Sequence, residues 1–177
     1  YLGIRYIDGK RFSRSLLAGI RRLISNQDYL NKINVFPVPD NDTGTNMGFT
    51  LSSIEKSVEE NTDSYINRFA DSVAEILINN ARGNSGVILA QFFTGFADGV
   101  KENQQLTVKE FSRALLIAKS YAYEALLEPK EGTILTVMTD WIYTIQHASD
   151  TIQDFKIILD QGLKNALQSL EKTTSQL

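Results

Sequence analysis

The sequence predicts an all-α protein, and three observations carry that prediction. Apolar residues recur at the i, i+3, i+4 spacing along most of the 177-residue chain. Glycines, prolines and cap-forming residues separate one periodic run from the next. Alternating apolar and polar residues, which would indicate strands, are scarce.

Three helices are predicted in the amino-terminal part of the chain. The first follows Asp8-Gly9, the second runs from about Thr45 to Val58, and the third carries Ile66 to Leu77. Their periodic apolar residues are Phe12, Leu16, Leu17, Ile20, Leu23 and Ile24, then Met47, Leu51, Ile54 and Val58, then Ile66, Phe69, Val73, Ile76 and Leu77. Each run places its apolar residues on one helix face, which indicates packing against a shared core.

A fourth and a fifth helix follow. Residues 83–86, Gly-Asn-Ser-Gly, break the pattern, and the fourth helix resumes with Val87. Thr107 and Glu110 stand at the spacing of a capping box, which predicts the start of the fifth helix.

Two more helices complete the pattern. Pro129 and Gly132 interrupt the chain before the sixth helix, Ile134 to Ala148, and Asp150 with Gln153 is expected to start the last. The connections are mostly short enough to join antiparallel neighbours, so residues 1–177 are expected to form one domain. The polar end of the sequence is typical of a linker or of a fragment of a longer chain.

Composition excludes several classes of site. The net charge is −3 without a basic run, which argues against nucleic-acid binding. The chain has no cysteine and a single histidine, His147, which excludes disulfides, thiolate metal sites and multi-histidine zinc. No apolar stretch reaches the ~20 residues of a membrane span. A cytoplasmic location is therefore expected.

Two carboxylates, Asp40 and Asp42, lie on a loop just before the second predicted helix. Pro37 and Pro39 should keep the approach extended, and residues 43–46 are rich in types that favour helix N-caps. Carboxylates suit Mg²⁺, and the N–H groups of a helix start favour a phosphate. The alternative is that both aspartates only form Asx turns and cap the helix.

A calcium EF-hand is excluded at this loop. Counting from Asp40, the sixth and twelfth positions are Thr45 and Leu51, where an EF-hand needs Gly and Glu.

Two further helix starts contain glycine. Residues 83–86 allow close approach of an anion to the backbone, although the Walker A pattern is absent. A simple helix–helix turn is the alternative there. Residues 129–133, Pro-Lys-Glu-Gly-Thr, read alone indicate only a helix boundary. Gathered at one end of a bundle, the three starts would suit a Mg²⁺–nucleotide.

Three segments, in this order, resemble the amino-terminal, ATP-binding kinase domain of bacterial fatty acid kinase. They are Asn-Val-Phe-Pro-Val-Pro-Asp-Asn-Asp-Thr-Gly-Thr-Asn-Met at 34–47, Ala-Arg-Gly-Asn-Ser-Gly-Val-Ile-Leu at 81–89 and Glu-Gly-Thr-Ile-Leu-Thr-Val at 131–137. That domain is similar to the nucleotide-binding L subunit of dihydroxyacetone kinase. The resemblance extends from about Asp8 to Leu170.

The resemblance implies a DhaL-like fold, a closed barrel of usually eight antiparallel amphipathic helices that binds ATP at one end. It implies two Mg²⁺ ions held by Asp40 and Asp42, the catalytic positions, with Asn34 near a third ligand position. The residues that it places at the phosphates or the nucleotide are Thr43, Gly44, Thr45, Asn46, Gly83, Asn84, Ser85, Gly132 and Thr133.

The chain departs from the family pattern at two positions. Asn41 stands where the family usually has Gly, and Asn is the least costly replacement if the position needs a positive φ. Met138 stands where many relatives have Arg. Arg82 and Lys130 are then the nearest candidates for offsetting phosphate charge.

The function that the resemblance implies is Mg²⁺-ATP-dependent transfer of the γ-phosphoryl group to a fatty acid carboxylate, giving an acyl phosphate. The acceptor would arrive on a separate acyl-binding protein, and any homodimer would form through regions outside this fragment. A carboxylate needs no general base, and His147 lies far along the sixth helix. The alternatives are a dihydroxyacetone kinase L-type subunit, which usually carries His where this chain has Thr43, and a non-catalytic nucleotide-binding module.

Overall fold

The computed structural model describes residues 3–36 and 39–176, and within them the chain forms eight α-helices and one two-stranded sheet. In chain order the elements are β1 Ile7–Asp8, α1 Gly9–Ser25, α2 Gln27–Lys32, α3 Thr43–Glu59, α4 Ile66–Asn80, α5 Gly83–Val100, β2 Gln105–Leu106, α6 Val108–Glu124, α7 Ile134–Ala148 and α8 Phe155–Thr173. The predicted all-α class and the eight helices implied by the resemblance are confirmed. The expected stiffening by Pro37 lies outside the described residues.

Three boundaries differ from the sequence expectation. The helix α2 was not predicted, because its six residues are all partly or fully exposed and carry no apolar period. Helix α5 begins at Gly83 rather than Val87, so residues 83–86 form its first turn. Helix α8 begins after Asp154, whose carboxylate accepts the Lys156 N–H, and not at Asp150.

Consecutive long helices pack against each other, and the closest pair is α5 with α6. A Cβ at Gly95 would lie 2.8 Å from the Ala118 Cα, and one at Gly99 would lie 2.8 Å from the Ala114 Cα. Because the partner number falls as the glycine number rises, the two helices run antiparallel. Small residues on both helices let the backbones approach this closely.

Aromatic rings cross the interior of the bundle from α1 to α8. Phe12 stacks on Phe96 with ring centroids 5.0 Å apart. Phe96 meets Phe111 edge-on at 6.0 Å, and Phe111 meets Phe155 at 5.5 Å. These contacts connect α1, α5, α6 and α8 through one continuous apolar core.

One end of the bundle is tied together by backbone hydrogen bonds. β1 pairs antiparallel with β2, and the Gly9 N–H donates to the Ser64 carbonyl. The Ile66 N–H donates to Gln104, and the Phe155 N–H donates to Ile4. These bonds join the connections at which α1, α4, α6 and α8 begin. The starts of α3, α5 and α7 therefore lie at the opposite end.

Helix α8 packs chiefly on α7, with Gly162 against the Trp141 ring. Another side of α8 carries Leu163, Leu167 and Leu170, each at least half exposed. Across residues 3–36 and 39–176, no helix is both long enough and apolar enough to cross a bilayer.

Candidate functional site

The acidic loop is held by an asparagine two residues beyond α2. The Asn34 side-chain amide donates to the Asp40 Oδ1 at 2.7 Å, and its carbonyl oxygen accepts from the Thr43 hydroxyl at 2.7 Å. Asn34 thus connects the loop to the first residue of α3. The structure places its amide between two site residues; ligation of a metal by Asn34 stays a prediction.

Asp42 is the N-cap residue of α3, yet within the described residues its carboxylate accepts no cap hydrogen bond from that helix. The N–H of Thr45, the third residue of α3, donates instead to the Asn31 Oδ1 at 2.9 Å. The Asn31 amide returns a hydrogen bond to the Thr45 hydroxyl, also at 2.9 Å. Helix α2 therefore caps α3 from outside.

Asn41, between the two aspartates, has φ of +59°. It is the one non-glycine residue with a positive φ in the described part of the chain. The expectation that Asn here replaces a family glycine in the left-handed region agrees with this backbone. The turn it makes leaves Asp40 and Asp42 both exposed.

The second glycine segment lies directly against the start of α3. Gly83 has φ of +63°, and a Cβ there would overlap the side chain of Asn46, which is 8% exposed. The Thr50 hydroxyl, one turn further along α3, accepts the Arg82 N–H at 3.1 Å. Asn84 and Ser85 lie in the first turn of α5, where helix N–H groups lack intrahelical acceptors.

The third glycine segment begins α7. Gly132 has φ of +80°, and its N–H donates to the Thr136 hydroxyl at 2.9 Å. Thr133 is the N-cap and accepts the Leu135 N–H at 3.3 Å. Leu135 belongs to the same buried cluster as Ile88, near the start of α5. The start of α5 therefore contacts the start of α3, and the start of α7 shares a buried cluster with α5.

The basic residues near these segments are engaged with other groups. The Arg82 guanidinium lies over the Phe49 ring at 4.0 Å, and the Lys130 Nζ lies 3.6 Å from the Glu128 carboxylate. His147 lies in the last turn of α7, and its Nδ1 is 2.7 Å from the Tyr143 carbonyl oxygen. His147 is thus at the end of α7 remote from the glycine segments.

The donor set of the acidic loop fits a magnesium ion shared with a phosphate. Mg²⁺ usually takes one or two carboxylates from the protein and completes its shell with phosphate oxygens and water. Asp40 and Asp42 supply two exposed carboxylates beside the first turn of a helix. Within residues 3–36 and 39–176, no three His, Cys, Asp or Glu side chains gather into a metal site. With the two carboxylates of Asp40 and Asp42, the loop would leave the remaining positions of a Mg²⁺ shell to phosphate oxygens and water.

Sequence reasoning missed Asn31, Gln27 and Phe49. Asn31 and Gln27 belong to the unpredicted α2, and Gln27 also approaches the Thr45 hydroxyl at 3.5 Å. Phe49 follows the acidic loop on α3 and is 46% exposed beneath Arg82. An aromatic residue off the apolar period of the predicted helix, which runs through Met47, Leu51 and Ile54, was the signal that could have identified it.

Curated proteins are similar to nearly the whole length of this chain. Protein YloV of Bacillus subtilis is 36% identical over 176 residues, which is 99% of this chain and 32% of YloV. An uncharacterized protein of Staphylococcus saprophyticus is 38% identical over 172 residues, 97% of this chain and 31% of that protein. The chain thus spans about a third of the length of these curated relatives.

The family comparison covers most of the chain. The sequence model of the DAK2 domain matches residues 37–177, from the acidic loop through α8. This match contains the acidic loop and the glycine segments that begin α5 and α7, so the resemblance read from those motifs is confirmed. The chain belongs to the DAK2 domain family.

Proposed function

We propose that this chain binds Mg²⁺–ATP where α3, α5 and α7 begin, and that it serves as the phosphotransferase domain of a longer fatty acid kinase-like protein. The observation that carries the proposal is the contact between Gly83 and Asn46, which sets the start of α5 against the start of α3. The carboxylates of Asp40 and Asp42 and the N-termini of α3 and α5 then lie at one end of the bundle. That combination suits a metal-bound triphosphate.

Each residue has a role in this proposal. Asp40 and Asp42 hold the metal, and Asn34 orients Asp40 through its 2.7 Å hydrogen bond. Backbone N–H groups of residues 83–85 bind the outer phosphate oxygens as the first turn of α5. Bound Mg²⁺ would neutralise the charge that develops on the transferred phosphoryl group. Gly132 and Thr133 border the nucleotide from α7.

The proposed acceptor is a fatty acid carboxylate presented by an acyl-binding protein. One carboxylate oxygen forms the new bond to phosphorus, the bond to the β-phosphate bridging oxygen breaks, and ADP leaves with that electron pair. The carboxylate is already ionised at neutral pH, so this step needs no proton removed. The proposed acceptor is supported by the motif resemblance, whereas the proposed metal and nucleotide are supported by the geometry of the site.

The substitution Asp42→Ala tests the metal assignment. We expect it to weaken Mg²⁺-dependent ATP binding by about 100-fold, since loss of even an outer-shell partner costs 10–100-fold. Titration calorimetry measures the affinity, and circular dichroism should show unchanged helix content. Asp71→Ala, at an exposed position of α4, is the matched control and should bind like wild type. Equal affinity in both variants would contradict the assignment.

The full-length wild-type protein and its Asp42→Ala variant are used to distinguish a fatty acid from dihydroxyacetone as the acceptor. ATP turnover is measured with oleate and a purified acyl-binding protein, and in parallel with dihydroxyacetone. Turnover with oleate that Asp42→Ala abolishes is the expected result. Turnover with dihydroxyacetone alone would identify an L-type subunit, and ATP binding without turnover of either would identify a non-catalytic module.

A further inference from the structure

Asn31 caps α3 in the place of the N-cap residue Asp42. Among the helices that the structure describes, α1, α3 and α8 have aspartate as the N-cap residue. Asp8 accepts the Arg11 N–H at 2.8 Å, and Asp154 accepts the Lys156 N–H at 3.0 Å. An aspartate that caps its own helix in this way has one carboxylate oxygen committed to the backbone.

Asp42 departs from this pattern because Asn31 occupies its capping position. An N-cap side chain binds the N–H of the second helical residue, as Asp154 does, or of the third, as Asp8 does. For Asp42 the third residue is Thr45. That N–H donates to the Asn31 Oδ1, and the Asn31 amide donates back to the Thr45 hydroxyl. The backbone of Asp42, at ψ of −5°, differs from the extended backbone of Asp8 and Asp154.

Close packing fixes α2 in this position. A Cβ at Gly44 would overlap the Gln27 carbonyl oxygen and lie 2.8 Å from the Asn31 Oδ1. A Cβ at Gly48 would lie 2.6 Å from the Gln27 Oε1. The first two turns of α3 thus present glycine toward α2, which lets Asn31 reach the Thr45 N–H.

We propose that Asn31 is a positioning residue that takes over the capping of α3 and so leaves the Asp42 carboxylate for the metal. The capping part of this inference concerns the protein without ligands, and only the metal part rests on the proposed function. Without the Asn31 side chain, Asp42 would adopt the extended backbone of Asp8 and Asp154, and its carboxylate would accept the Thr45 N–H. Capping and metal binding would then compete for one carboxylate.

Thermal unfolding of four proteins in EDTA tests the capping part. The proteins are wild type, Asn31→Ala, Asp42→Ala and the double variant. Each single variant should keep the wild-type Tm, because the other residue still caps α3. The double variant should lose about 2–4 °C, the effect of one lost helix cap in a chain of this size. The same Tm loss for Asp42→Ala in both backgrounds would overturn the inference.

Mg²⁺ titrations at fixed ATP test the metal part. Asn31→Ala should raise the Mg²⁺ concentration required for ATP binding about tenfold. Asn31→Asp, which retains an oxygen for the Thr45 N–H, should not raise it. Asn26→Ala, an asparagine at the start of α2 that donates to Arg22, is the matched control. An unchanged Mg²⁺ requirement in Asn31→Ala would overturn the positioning role. If wild type shows no Mg²⁺-dependent ATP binding, the proposed function fails, and the Tm values alone decide the capping.

Discussion

At the scale of single residues, Asn41 forms the turn between Asp40 and Asp42. Its φ of +59° lies in the left-handed region, where a Cβ crowds the backbone and only Gly, Asn and Asp are common. From the sequence, Asn in place of a family Gly is the least costly replacement if the position needs a positive φ, and the backbone shows that it has one. The conformation at Asn41 sets the direction in which Asp40 and Asp42 leave the loop.

Two substitutions of Asn41 should distinguish the free-energy cost of its positive φ from the contribution of its side-chain contacts. Asn41→Gly should leave the free energy of unfolding within about 0.5 kcal/mol of wild type, because Gly adopts this φ without strain. Asn41→Ala should lower it by about 1–2 kcal/mol. Urea denaturation measures both. The control Asn79→Ala, at an exposed helical position of α4, should not destabilise the protein, because Ala has the higher helix propensity. Equal losses for Gly and Ala at position 41 would show that the asparagine side chain, not φ, matters.

The contact that Asn31 makes with α3 could not be predicted from the sequence. Its role depends on the Thr45 N–H, fourteen positions away, and on glycines that let α2 approach α3. No local pattern encodes a cap supplied from another helix. Asp42 precedes a helix, so the sequence predicts it as an N-cap. Only the tertiary contact shows that Asn31, and not Asp42, binds the Thr45 N–H.

At the scale of elements, the apolar period located seven of the eight described helices because each buries one face in a shared core. It missed α2, which attaches to α3 through the polar side chains of Gln27 and Asn31. The pair β1–β2, only two residues per strand, is likewise too short to leave a period. Elements held by apolar burial were thus predictable, and those held by a few hydrogen bonds were not.

The α5–α6 contact gives a prediction for glycines within helices. Gly95→Ala should lower the free energy of unfolding by about 1–3 kcal/mol, because its methyl group would lie 2.8 Å from the Ala118 Cα and 2.9 Å from the Ile117 carbonyl oxygen. Gly19→Ala in α1 is the matched control. A Cβ there would point into open space, so the better helix propensity of Ala should stabilise by about 0.5–1 kcal/mol. Denaturant unfolding measures both variants. The same sign of change at the two positions would contradict the close packing of α5 and α6.

At the scale of the whole molecule, the two ends of the bundle differ in how they are held. One end is joined by the β1–β2 pair and by backbone hydrogen bonds between connections that are distant in sequence. The site end is held mainly by side chains, such as Asn31 on Thr45 and Asn46 beneath Gly83. Backbone hydrogen bonds thus hold one end, while at the other the start of α5, with Gly83 and Asn84, remains exposed.

The unequal surroundings of the helices predict an order of local opening. Helix α5 packs on α3, α4 and α6, whereas α8 packs chiefly on α7 and exposes three leucines. Amides are protected in proportion to the contacts that must break for exchange. Hydrogen exchange followed by mass spectrometry should show α8 exchanging first among the long helices and α5 last. Leu167→Gln should leave this order and the Tm unchanged because Leu167 is 55% exposed. Equal protection of α8 and α5 would contradict this order and would mean that the helices open together. The Phe111–Phe155 contact would then hold α8 to the core as strongly as three neighbouring helices hold α5.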